Sequence, residues 1–168
     1  VIALRPYNKN MREVAAWLAV AAGEETKAIE LFEAYFEFDD RNASALNYVG
    51  YTLAEREERL SDAERYVRRA LELKGDDPNI RDSLAWVLFK RGRLRDALDQ
   101  QLRVAEELPT NAVILEHLGD IYHALGRESE AREAWRKALD FADEDDEDVL
   151  ETVTQKLGEA PEQQESGE

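Results

Sequence analysis

The chain contains no cysteine, which removes disulfides, thiolate metal ligands and a cysteine nucleophile together. Proline occurs four times and glycine eight times in 168 residues, and no Val/Ile/Thr-rich alternating stretch reads as a strand. An all-α class is therefore expected, with no sheet. The longest apolar run, Val14 to Ala22, is far short of the ~20 residues a membrane-spanning helix needs. Direct membrane insertion is not expected. No signal-peptide pattern precedes the first apolar run, and the chain opens on Val1. It is read as a piece of a longer polypeptide, with residues 1–8 a lead-in, so localisation cannot be taken from a targeting signal.

Clustered positive charge is also scarce. The net charge is −16, but residues 143–168 hold eleven acids against Lys156 alone, leaving −6 for residues 1–142. Nucleic-acid binding needs clustered Lys and Arg to displace counterions, so a nucleic-acid partner is not expected.

What the chain does have is a period. Four units stand in register at 9–42, 43–77, 78–111 and 112–145, with one extra residue in the turn before Ser61. The last reads Leu115, Leu118-Gly119, Tyr122, Gly126, Ala131, Trp135, Ala138. The third reads Leu84-Ala85, Leu88, Gly92, Ala97, Gln101, Val104 and ends on Pro109; the second reads Leu46, Val49-Gly50, Leu53, Ala63, Val67, Ala70. The first is the most degenerate: Ala15-Ala16, Ala19, Gly23, Ala28, Phe32, Tyr35.

Each unit reads as two amphipathic helices that cross closely at small residues. A glycine inside a helix costs about 1 kcal/mol against alanine. Gly50 and Gly119, with Ala85 at the matching position, are expected where a second helix packs on bare backbone. Ala63, Ala97 and Ala131 are the small residues expected on that second helix. Helices are predicted near 10–22, 25–38, 43–57, 61–73, 78–91, 94–107, 112–125 and 128–142. Gly23, Gly92 and Gly126 mark turns within pairs, and Lys74-Gly75 marks a helix end. Asn10 with Glu13 and Ser61 with Glu64 have the spacing of capping boxes, and Asp77 before Pro78 reads as an N-cap. A ninth helix near 146–157 carries Val149, Leu150, Val153 and Leu157 on one face. It is expected to cap the array, since a terminal repeat has no neighbour to cover it. Residues 158–168 have the composition of a disordered acidic tail.

The pattern over residues 9–145 resembles the tetratricopeptide repeat, W-x2-L-G-x2-Y followed by A-x3-F, A and P. The strings NYVGYTLAER (47–56), DSLAWVLFKRG (82–92) and EHLGDIYHALGR (116–127) are similar to the C-terminal part of bacterial cell-envelope tetratricopeptide proteins. The resemblance implies a right-handed solenoid of antiparallel helix pairs, four repeats plus the capping helix. It also implies a periplasmic or outer-membrane-associated setting in preference to the cytoplasm.

In that family, ligands lie along the concave face formed by the first helices. Counting Ala16, Gly50, Ala85 and Gly119 as the eighth position, the ninth carries Trp17, Tyr51, Trp86 and Asp120, and the twelfth includes Phe89 and His123. The fifth and sixth include Asn47 and Tyr48, Asp82 and Ser83, Glu116 and His117. Trp and Tyr are frequent binding anchors, so Trp17, Tyr51, Trp86 and Phe89 are candidates for partner contact. The alternative is that these rings pack between neighbouring first helices. Asn47 suits a ligand backbone, and Asp82, Glu116 and Asp120 favour a segment with basic as well as apolar anchors. Acids in place of Lys and Arg at these positions do not fit the carboxylate-clamp role known from some co-chaperones of the family.

His117 and His123 are six apart and read as surface or core-edge imidazoles, because a helical metal pair needs spacing such as i, i+4. The acidic run 143–148 lacks the alternating ligands and central glycine of a calcium loop. With no phosphate-binding loop, no activated nucleophile and no metal set, neither an enzyme nor a cofactor is expected. The expected function is a protein- or peptide-binding adaptor. The alternative is a self-assembling structural module whose contact is the exposed first end, near Val1, Ile2, Leu4, Tyr7 and Met11.

Overall fold

Apolar residues recur at the three- and four-residue spacing that gives a helix one buried stripe, and the computed structural model places them accordingly. It describes residues 9–143 and 145–159; the lead-in 1–8 and tail residues 160–168 lie outside them. The described residues form α1 (Lys9–Ala21), α2 (Glu25–Phe36), α3 (Ala43–Glu55), α4 (Leu60–Lys74), α5 (Pro78–Lys90), α6 (Leu94–Glu107), α7 (Ala112–Ala124), α8 (Glu128–Phe141) and α9 (Glu147–Glu159), and no strand. In α4 the buried stripe is Ala63, Tyr66, Val67 and Ala70; in α8 it is Ala131, Ala134, Trp135 and Ala138. Among the described residues no helix is long and apolar enough to cross a membrane.

The turns explain where the helices stop. Gly23, Gly92 and Gly126 take φ of +71°, +72° and +73°, a left-handed step that costs residues with a Cβ roughly 1–2 kcal/mol. The α3–α4 turn has no glycine and one extra residue; there Glu57 and Arg59 take φ of +52° and +45°. Arg59 is held by a two-pronged bond to Glu33, Nη2 to Oε1 at 2.8 Å and Nη1 to Oε2 at 3.1 Å. Its Nε also donates to Asp62 Oδ2 at 3.0 Å. Hydrogen bonds from Arg65 and then Arg59 hold the Asp62 carboxyl below the ordinary carboxylate range.

Two expected capping boxes are corrected. Helix α4 starts from Arg59, with Ser61 already inside it, and Glu64 accepts from Arg68 instead. In α1, Asn10 lies inside the helix, and Glu13 Oε1 accepts from Asn42 Nδ2 at 2.7 Å. The side-chain caps are Asn42, bonded by Ala45 N at 3.0 Å, and Asn111, bonded by Ile114 N at 3.1 Å. Asp77 behaves as expected, accepting from Asn79 N and Ile80 N. The α4 end also falls as expected, at Lys74 with Gly75 following.

The chain divides into two compact units, one through Ser83 and one from Leu84. In the first, α1 packs on α2, α3 on α4, and α2 against α3. A Cβ on Gly50 of α3 would sit 2.9 Å from the Ala63 carbonyl oxygen and 2.5 Å from Val67 Cγ2. The close helix crossing expected from Gly50 and Ala63 is therefore present. In the second unit α7 packs on α6 and α8, and α9 packs on both α8 and α7. Val149 and Val153 of α9 join Leu115, Ala131, Trp135 and Ala138 in one buried cluster. The helix runs to Glu159, so its last turn takes in residues assigned from composition to the tail.

Candidate functional site

Asn47 and Tyr51 come together on α3. With Ser44 and Tyr48 they stand at i, i+3, i+4 and i+7 along one face, and this face lines a pocket of about 460 Å³. Lys74 at the end of α4 and Asp77, Asn79, Ile80 and Ser83 complete the lining. Asn47 Oδ1 is buried and accepts no hydrogen bond among the described residues. A buried carbonyl oxygen left unpaired costs about 1–3 kcal/mol. The pocket therefore offers two tyrosine rings and an aliphatic wall at Ile80.

Trp17 extends this surface through Tyr48. Its ring meets Phe32 edge-on at 4.9 Å and Tyr48 at 5.9 Å, and it keeps 36% of its surface exposed. Asp82 belongs to the same unit but is only 9% exposed, so its carboxylate is not part of an open charged surface.

The remaining candidates lie in the second unit, where the structure gives them internal roles. Trp86 is 8% exposed and stacks on His117 at 4.2 Å and on Phe89 at 4.9 Å. The Lys90 ammonium lies 5.0 Å from the Trp86 ring centre. Here the alternative reading of the aromatics, packing between first helices, describes what is seen. Glu116 and Asp120 both bind Lys156 of α9, which donates to Glu116 Oε1 at 2.9 Å and Asp120 Oδ2 at 2.8 Å. Asp120 also accepts from Trp135 Nε1 at 3.0 Å. His117 is buried, while His123 is exposed with Nδ1 beside Glu128, so the two imidazoles do not form a site.

The profile of the tetratricopeptide repeat-like domain matches residues 54–159 of the chain. The chain belongs to that family. A TPR repeat-containing protein of Pseudomonas aeruginosa is 40% identical over 79 residues, which is 47% of this chain and 13% of the relative. The chain thus spans a small part of that relative's length. Among solved structures, a tetratricopeptide repeat protein from Parabacteroides merdae superposes with a TM-score of 0.70 at 17% identity, covering 94% of this chain and 67% of the other. A crystal structure of MamA gives 0.68 at 21% identity, covering 80% and 73%, and MamA of MSR-1 gives 0.66 at 18%, covering 87% and 79%. At these identities the likeness establishes the fold, an all-α helical repeat of the solenoid class.

Within this tetratricopeptide chain, Lys156 was not marked out by the repeat pattern because it lies beyond the last repeat. Its signal was its isolation, the sole base among the acids of residues 143–168. Its two partners are largely buried, with side chains 13% and 15% exposed. Lys156→Ala is expected to destabilise the second unit by about 1–2 kcal/mol, since it leaves two carboxylates close together without their cation. Thermal unfolding followed by circular dichroism checks this. A melting temperature unchanged within a degree would mean that the bridge contributes nothing.

Proposed function

We propose that this chain is a non-catalytic scaffold that holds an extended segment of another protein in the α3 pocket of its first unit. The observation that carries the reading is the pocket walled by Tyr48, Tyr51 and Ile80, with the polar side chains of Ser44, Asn47 and Asn79 in its lining. An apolar side chain of the segment packs against the tyrosine rings and Ile80, and its backbone hydrogen-bonds the polar side chains of the lining. The reason for a peptide partner is chemical. A backbone amide next to an apolar side chain, repeated along an extended strand, matches polar side chains beside one aromatic wall. Lys74 and Asp77 at the rim carry opposite charges and so set the register of flanking charges more than the affinity. The acids of the second unit add little attraction for a basic segment, because Lys156 already occupies Glu116 and Asp120.

The test is affinity capture from bacterial envelope and cytoplasmic extracts, with the wild-type chain beside Tyr51→Ala and Asn47→Leu. Removing a central aromatic anchor often costs about 2 kcal/mol, roughly thirtyfold in affinity. Tyr51→Ala is expected to show that loss with helical content preserved. Asn47→Leu is expected to bind about tenfold more weakly while melting no lower than wild type, because it removes an unsatisfied buried oxygen. Equal capture by all three proteins from both extracts would sink the proposal.

A further inference from the structure

Helix α1 presents an apolar stripe to solvent. Met11, Val14 and Leu18, at i, i+3 and i+7, are 64%, 56% and 65% exposed. A stripe at this spacing is the part of an amphipathic helix that is normally packed against a neighbour. Aligning the units shows which neighbour. Met11, Val14 and Leu18 stand in register with Ala45, Tyr48 and Thr52 of α3, and with Ile114, His117 and Ile121 of α7. Ala45 and Thr52 are 0% and 6% exposed, and Ile114, His117 and Ile121 are 3%, 6% and 0%. In these two helices the preceding second helix lies alongside: α2 against α3, and α6 against α7. Gln101 of α6 even donates from Nε2 to the Ile114 carbonyl oxygen at 3.0 Å, at the register position of Met11. Among the described residues, no helix precedes α1.

We infer that the Met11–Val14–Leu18 face of α1 is a repeat-to-repeat interface, and that its occupant is the second helix of a further helix pair on the N-terminal side of the same polypeptide. Three observations favour this occupant over a second copy of the chain. The face is equivalent to one already used twice within the molecule, so it fits an amphipathic helix of the α2 or α6 type. The sequence ahead of α1 carries the matching pattern: Val1, Pro6 and Asn8 stand where Val104, Pro109 and Asn111 stand ahead of α7. The 79 matched residues are 13% of the length of the Pseudomonas aeruginosa relative, so that relative holds much more chain than the matched region. This inference is independent of the α3 pocket.

The experiment is a chimera in which a copy of residues 78–111 replaces residues 1–8. It sets a copy of α6 ahead of α1 in the register in which α6 precedes α7. Amide exchange within α1 is expected to slow at least tenfold, and the melting temperature to rise by about 4 °C or more, since 1 kcal/mol shifts a domain of this size by about 2–4 °C. Leu18→Arg should abolish both gains in the chimera while leaving the melting temperature of the parent chain within about a degree. Unchanged α1 exchange in the chimera would overturn the inference, as would gains that survive Leu18→Arg. Sedimentation equilibrium of the parent chain supplies the remaining arm. A monomer is expected, and a dimer dissociated by Leu18→Arg would assign the face to a second copy instead.

Discussion

Trp86→Ala is expected to destabilise the second unit by about 3–5 kcal/mol, the range for truncating a buried aromatic. The ring stacks on His117 at 4.2 Å with an interplanar angle of 17° and on Phe89 at 4.9 Å with an angle of 22°, and it is 8% exposed. Removing it leaves both rings without a stacking face and exposes the inner side of α5. Tyr51→Ala, at the same position of another repeat, is expected to cost far less, since Tyr51 is half-buried at the edge of an open pocket. Urea denaturation of the two variants, followed by circular dichroism, makes the comparison. If the midpoint falls as much for Tyr51→Ala as for Trp86→Ala, the separation into a core ring and a pocket ring is wrong.

Gly119→Leu should be nearly as damaging, at about 3 kcal/mol or more. A Cβ on Gly119 would lie 2.3 Å from Trp135 Cδ1 and 2.4 Å from its Nε1, well inside van der Waals contact. The indole cannot swing aside cheaply. It is 2% exposed, and its Nε1 donates to Asp120 Oδ1 at 3.0 Å. Overpacking of this kind typically costs about 1–3 kcal/mol, and breaking the indole hydrogen bond adds about 1–3 kcal/mol by leaving a buried N–H unsatisfied. The control is Gly158→Leu in α9, where a Cβ meets nothing within 4 Å. There the change is expected to be neutral or to stabilise by up to about 1 kcal/mol, the helix-propensity cost that glycine carries. Matching melting temperatures for the two variants would rule out the close crossing of α7 and α8.

The sequence alone determined whatever depends on residues a few positions apart. Helix length and phase follow from apolar spacing within three or four residues. The left-handed turns at Gly23, Gly92 and Gly126 need only a residue without a Cβ, and the small residues at Gly50 and Ala63 mark a crossing within one 35-residue unit. These signals are local, so the class of fold, the helix pairs and the family were legible before any coordinates.

Tertiary structure decided what depends on partners far along the chain. The start of α4 at Arg59 was not legible, because its left-handed turn is secured by Glu33, 26 residues earlier. Trp86 and Tyr51 share a repeat position and an aromatic side chain, yet one is core and the other lines a pocket. The difference is His117, which α7 places on the Trp86 ring 31 positions later in the chain. Glu116 and Asp120 read as open acids until α9 brings Lys156 onto them across 40 and 36 residues. Repeat periodicity fixes where a side chain stands on its helix. Whether that position is covered, neutralised or left open depends on which neighbouring helix arrives, and that is set by packing and not by spacing.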